Sequence, residues 1–123
     1  MKFALDTGSA TYRISSYDSG QVTINTETVT HSVIVMPERL IRDWPPQRFE
    51  ELEMRHADAL VELQPEIVLL GTGARLRFPA PQFMAALQAR GIGIEVMDTG
   101  AACRTYNVLM AEERNVAAAL LMI

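Results

Sequence analysis

This 123-residue chain has little with which to do covalent or redox chemistry: one cysteine, Cys103, and two histidines, His31 and His56. A single cysteine excludes an internal disulfide and any cysteine-based zinc cage. There is one lysine, Lys2, no basic run, and a net charge of −4. A dedicated DNA or RNA binder would carry a basic face, so no nucleic-acid partner is expected. No window approaches the ~20 apolar residues that cross a bilayer, so no membrane span is expected either. The opening residues Met1-Lys2-Phe3-Ala4-Leu5-Asp6 lack the apolar core of a secretory signal. They also lack the Arg-rich, acid-poor character of a transit segment. The expectation is a soluble protein in the reducing cytoplasm.

What is present is ordinary globular composition, 49% apolar and 21% charged. The length suits one domain with a real core, and residues 1–123 are expected to form it. The pattern changes near Trp44-Pro45-Pro46. Before it, Tyr12, Ile14 and Ser16 alternate with polar partners. Tyr17-Asp18-Ser19-Gly20 supplies turn chemistry and Gln21 to Ile24 returns, so a hairpin is predicted. Val29, His31, Val33 and Val35 share one face of the next strand, with Ser32, Ile34 and Met36 on the other. Its last four residues are apolar on both faces, which predicts a central position in a sheet.

After the proline pair, helix and strand alternate. Phe49, Leu52 and Met54 fit strand or irregular structure. His56 to Leu63 has helical spacing and stops before Pro65. Ile67 to Leu70 reads as a buried strand, and Leu76-Arg77-Phe78 as a short extended piece. A helix from Pro81 to Arg90 has Pro in its first turn and Gly91 just past its end. A strand Ile92 to Met97 and a helix from about Thr99 to Glu112 follow. The tail Val116 to Ile123 is ambiguous: three alanines favour helix, while continuous apolar character favours a buried strand.

Two strand exits draw the functional interest. Glu66-Ile67-Val68-Leu69-Leu70 runs into Gly71-Thr72-Gly73, and Ile92 to Met97 runs into Asp98-Thr99-Gly100. In open α/β sheets, ligands bind at such carboxyl ends.

With the exits and the tail in view, the chain resembles a small α/β family of unknown function that includes the mitochondrial respiratory complex I assembly factor three. The resemblance rests on Pro65 to Gly73, Thr99 to Leu109, Glu113 to Leu120 and the lone Trp44. Arg104-Thr105-Tyr106-Asn107 is its most specific string. It implies a three-layer α/β fold around a mixed central sheet, with an antiparallel last strand and an added N-terminal β segment. On that basis the Val116 tail is assigned as a strand. Assembly assistance follows only by analogy, because kinship of fold does not fix function.

The residues themselves admit a ligand reading and a structural one. Gly71-Thr72-Gly73 is neither a dinucleotide fingerprint nor a P-loop, since Leu76 stands where a third glycine is needed and no Gly-Lys-Ser/Thr follows. It serves either as a tight turn or as a close backbone approach to an anion. Asp98 or Thr99 caps the following helix, whose free N–H groups suit a carboxylate or phosphate. Arg104 adds a forked donor or pairs with a local carboxylate. Tyr106 and Asn107 line the same pocket or bond neighbouring backbone. The candidate ligand-binding set is therefore Gly71, Thr72, Gly73, Thr99, Gly100, Arg104, Tyr106 and Asn107. Cys103 lacks an evident base and reads as a core residue. His56 reads as a solvated helix-start residue. No catalytic pair, metal cluster or cofactor motif stands out, and the seven methionines read as core filling.

Two functions remain open. One is a non-catalytic protein that binds a partner protein, with Trp44-Pro45-Pro46 as part of an exposed apolar patch. The other is a small-anion binder or enzyme using the two strand exits.

Overall fold

A computed structural model describes residues 11–123; the opening segment on which the targeting expectation rests lies outside the described residues. The hairpin forms where its turn chemistry requires it. β1 (Ile14–Asp18) and β2 (Gln21–Ile24) pair antiparallel, and Gly20 turns between them at φ 74°, which favours glycine. β3 (Glu27–Val29) completes a small antiparallel sheet in the order β1-β2-β3.

The alternation from Val29 to Met36 belongs to two strands, not the single one expected. The chain leaves the first sheet after Val29, and β4 (Val33–Val35) opens a second sheet. At the break, Ser32 is engaged elsewhere: its carbonyl accepts from the Trp44 N–H at 3.3 Å and its N–H donates to Gln47 Oε1 at 3.4 Å. A two-residue period cannot reveal such a change of partner.

The rest follows the expected alternation. β5 (Leu40–Ile41) and a 3₁₀ turn (Phe49–Glu51) precede α1 (Met54–Glu62), then β6 (Ile67–Thr72), α2 (Pro81–Gln88), β7 (Gly93–Met97), α3 (Thr99–Ala111) and β8 (Val116–Leu121). Leu76-Arg77-Phe78 lies in irregular structure and forms no strand. Pro81 opens α2, and Gly91 at φ 75° follows its end. α1 begins two residues before the expected His56. A capping box draws the chain in there, the Glu53 carboxylate accepting from the His56 N–H and the His56 ring accepting from the Glu53 N–H.

The second sheet runs β5-β4-β8-β6-β7. β6 pairs parallel with both β7 and β8, while β4 pairs antiparallel with β5 and β8. The sheet is mixed, as the resemblance implies. The last strand is antiparallel to β4 but parallel to β6, so the expected orientation holds on one side only. The reason is the crossover: α3 carries the chain from the end of β7 back to the end where β6 and β7 start.

β8 is Val-Ala-Ala-Ala-Leu-Leu, and every one of its residues is buried. Burial on both faces overrides the helix propensity of alanine. Val68, Leu70, Ala117, Ala119 and Leu121 pack on one face with Leu60, Phe83 and Leu87 of α1 and α2. Leu69, Ala118 and Leu120 pack on the other with Ala102, Cys103 and Tyr106 of α3 and with Ile14, Val22 and Ile24 of the small sheet. The three layers are thus α1 and α2, the mixed sheet, and α3 with the hairpin.

Candidate functional site

β6 and β7 are neighbours, and their connections leave for opposite faces of the sheet, α2 for one and α3 for the other. That is the topological switch at which open sheets usually present a ligand crevice. Here the two exits meet and bond to each other. The Thr99 hydroxyl accepts from the Gly73 N–H at 2.8 Å and donates to the Leu121 carbonyl at 2.5 Å. The Thr99 N–H donates to the Gly73 carbonyl at 2.9 Å. Thr72 donates to the Arg75 carbonyl at 2.7 Å and accepts from the Arg77 N–H at 3.2 Å. A side chain at Gly71 would place Cβ 3.0 Å from Thr99 Oγ1 and 3.1 Å from Thr99 Cα. The ends of β6, β7 and β8 are clamped by one buried hydroxyl. Asp98 caps α3, its carboxylate accepting from the Ala101 N–H at 2.9 Å.

The other candidates lie along α3 and face the hairpin, away from the end of β6 at Gly71 to Gly73. Gly100 lies against Tyr17, whose ring would be 3.0 Å from an added Cβ. Arg104 donates to the Tyr17 hydroxyl, with its guanidinium carbon 5.9 Å from the ring centroid. The Tyr106 hydroxyl donates to the Tyr12 carbonyl at 2.7 Å. Asn107 treats Ile14 as a strand would, accepting its N–H at 3.0 Å and donating to its carbonyl at 2.7 Å. Positions 100, 104 and 107 share a helical face, so the Gly100 to Asn107 segment fastens the hairpin to α3. Between them runs a cavity of about 340 Å³ lined by Ser16, Tyr17, Cys103, Arg104 and Asn107 among others. Burial pushes the Cys103 thiol up to about 12, so no thiolate forms near neutrality. Among the described residues, no group of three or more His, Cys, Asp and Glu side chains could hold a metal ion.

Sequence reasoning missed a third place. Beyond β6 the chain runs through Leu76, 50% exposed, and Phe78, 66% exposed, on either side of Arg77. Arg77 turns inward, its guanidinium carbon 4.4 Å from the Phe49 ring centroid and its Nη1 2.7 Å from Glu50. That contact holds the Glu50 carboxyl below its ordinary range. Beside it is a groove of about 510 Å³ lined by Phe49, Leu52, Met54, Pro79 and Phe83, among others. Met54, Leu76 and Phe78 are three of the four large apolar side chains exposed among the described residues. The available signal was the Leu-Arg-Phe alternation in a segment that no core requires.

Two expectations need correction. Trp44 is 2% exposed and sits in the core, because its indole packs edge-on against His56 at 6.2 Å between centroids. Pro46 is buried with it, so Trp44-Pro45-Pro46 is no apolar surface patch. His56 is 4% exposed, not solvated, since its ring completes the cap of α1 and covers the indole.

Comparison with known proteins adds the family. The profile described as "Protein of unknown function (DUF498/DUF598)" matches residues 14–121. The NADH dehydrogenase (ubiquinone) 1 alpha subcomplex assembly factor 3 of Danio rerio is 35% identical over 110 residues, 88% of this chain and 63% of its own length. The chain thus spans about three fifths of the assembly-factor relatives it matches. A "13 kDa major membrane protein" of Francisella tularensis is 27% identical, with 81% of this chain and 82% of that protein covered. A crystal structure from Bordetella parapertussis superposes with a TM-score of 0.87 at 37% identity, covering 93% of this chain and 98% of that one. A Bordetella pertussis structure described as a Mth938-like domain superposes with a TM-score of 0.80 at 31% identity, covering 99% and 92%.

Proposed function

Since the chain belongs to the DUF498/DUF598 family of proteins of unknown function, we propose that it is a non-catalytic module that binds a partner protein and assists assembly. One observation carries this reading: Leu76 and Phe78 stand exposed on either side of Arg77, which lines a groove together with Phe49, Leu52, Met54 and Phe83. Contiguous exposed apolar surface mostly marks contact with another molecule. The relatives named as assembly factors support the same class of role. A cytoplasmic setting belongs to this reading, in which Cys103 stays a free, buried thiol. Among the described residues no helix is long and apolar enough to cross a membrane.

The test is native capture of wild type and Phe78→Ser side by side, with co-purifying proteins identified by mass spectrometry. Phe78→Ser is expected to weaken a stoichiometric partner by roughly tenfold, the order of one apolar anchor lost from an interface. Its unfolding midpoint should stay close to wild type, because the side chain is exposed. Equal capture by both proteins would overturn the reading.

A small anion is the second reading, and Arg104 favours it. No carboxylate among the described residues pairs with Arg104, and its guanidinium borders the cavity beside Ser16 and Tyr17. Arg104→Ala should cost less than about 1 kcal/mol of stability, the scale of an exposed cation–π contact. On this reading it abolishes binding of a carboxylate or phosphate in calorimetry. Heat unchanged by Arg104→Ala removes the anion reading.

A further inference from the structure

The groove beside Phe78 has a titratable hinge in its wall. Its lining includes Phe49 and Glu50 of the 3₁₀ turn, Leu52, and Glu53 and Met54 at the start of α1. Of the bonds that cap α1 at its joint with that turn, one depends on protonation: the Glu53 N–H donates to His56 Nδ1 at 2.9 Å. An imidazole nitrogen accepts only while it carries no proton. The other side of the ring faces Trp44, and neither His56 Nε2 nor Trp44 Nε1 has a hydrogen-bond partner among the described residues.

We propose that His56 is an acid-operated latch on this groove: neutral, it holds the Glu53 N–H and the groove wall; protonated, it releases both. Proton uptake turns the Nδ1 acceptor into a donor that faces another donor. The first turn of α1 must then move, and the Glu53–Met54 side of the groove moves with it. Trp44, in edge contact with the ring, moves as well. Regulation in this sense rests on reading the groove as a binding surface, but the hinge stands on its own geometry.

The surroundings favour a neutral ring. Burial disfavours the imidazolium most, and Arg55 on the same helix adds to this. Glu53 at the cap and Glu51 on the 3₁₀ turn partly oppose it. α2, packed against α1, has no ionisable side chain between Pro81 and Gln88. The sheet face beneath presents Ile34, Val68 and Leu70. Near Trp44, exposed His31 bonds the Ser32 carbonyl. The folded protein therefore protonates His56 below the ordinary 6.5. The unfolded chain binds that proton first, so the associated stability is full above 6.5 and is lost as the pH falls through 6.5 toward the folded value.

The experiment follows the backbone amides of residues 49–54 and the Trp44 indole by NMR from pH 8 to pH 5, with binding of the apolar dye 8-anilinonaphthalene-1-sulfonate measured in parallel. All three should change with one midpoint below 6.5, and dye binding should change about twofold or more. His56→Gln should abolish the step, because a carboxamide oxygen accepts the same N–H at all these pH values. His31→Asn should leave it intact. A flat wild type, or a step that survives in His56→Gln, overturns the latch. Should His56→Gln fail to fold, the wild-type ring nitrogens decide: Nδ1 must titrate together with the Glu53 amide, and separate midpoints overturn the proposal. An amide step with unchanged dye binding overturns the coupling to the groove. Partner capture with Phe78→Ser then judges the binding reading separately.

Discussion

Thr99→Val is expected to cost about 3 kcal/mol. The substitution keeps the shape of the side chain and removes only the hydroxyl. That hydroxyl serves two backbone groups at once, the Gly73 N–H and the Leu121 carbonyl, and Thr99 is wholly buried. A buried polar group left without a partner costs about 1–3 kcal/mol, and here two are orphaned in one step. Gly71 passes 3.1 Å from Thr99 Cα, measured from where its own Cβ would be, so no spare volume admits a rescuing side chain. Thr99→Ser keeps the oxygen and should lose only about 1 kcal/mol with its methyl. Urea unfolding of the three proteins, at an unchanged slope, is the measurement. The comparison also separates roles. A hydroxyl kept for a ligand would leave the free protein's stability nearly untouched in the valine variant, whereas a clamp on three strand ends would not.

The switch between β6 and β7 shows how far the sequence could be read. Apolar runs located both strands, because a parallel strand buried on both faces leaves a continuous apolar signature, but β6 runs on through Gly71 and Thr72, which the sequence reading gave to the exit turn. That the exits adjoin is a pairing between residues 67–71 and 93–97, and nothing local to either strand announces it. Whether a threonine beside glycines faces a ligand or a third strand depends on where Leu121 ends, some twenty residues further on.

The Gly100 to Asn107 segment teaches the same lesson. Its side chains were legible as a dense polar set on one helix. Their partners, Tyr12, Ile14 and Tyr17, lie more than eighty residues earlier and arrive only when the hairpin folds over α3. Conversely, Leu76 and Phe78 carried a weak local pattern, and only their exposure among the described residues makes the pattern meaningful. β8 marks the limit of propensity: three alanines in succession suit a helix until both faces of a sheet close over them.

Trp44→Ala is expected to cost about 3–5 kcal/mol, the range for deleting a large buried aromatic side chain. The indole is among the largest fully buried side chains and contacts the core shared by Ile34, Met36, Leu60 and Phe83. It also covers His56, and such an aromatic edge contact adds about 0.5–1.5 kcal/mol beyond area alone. Folded domains of this size are stable by only about 5–15 kcal/mol, so the variant sits near the edge of folding. Trp44→Phe should be far milder, since it fills most of the space and removes an indole N–H that has no partner among the described residues. Urea unfolding followed by far-ultraviolet circular dichroism reads both variants. The result bears on how any loss of binding is interpreted. A partner lost in Trp44→Ala is lost with the fold, because the side chain lies beneath the surface. A partner lost in Phe78→Ser at unchanged stability is lost at the surface itself. A Trp44→Ala protein as stable as wild type would mean that the indole is not in the core, and would return the Trp44-Pro45-Pro46 segment to consideration as the docking face.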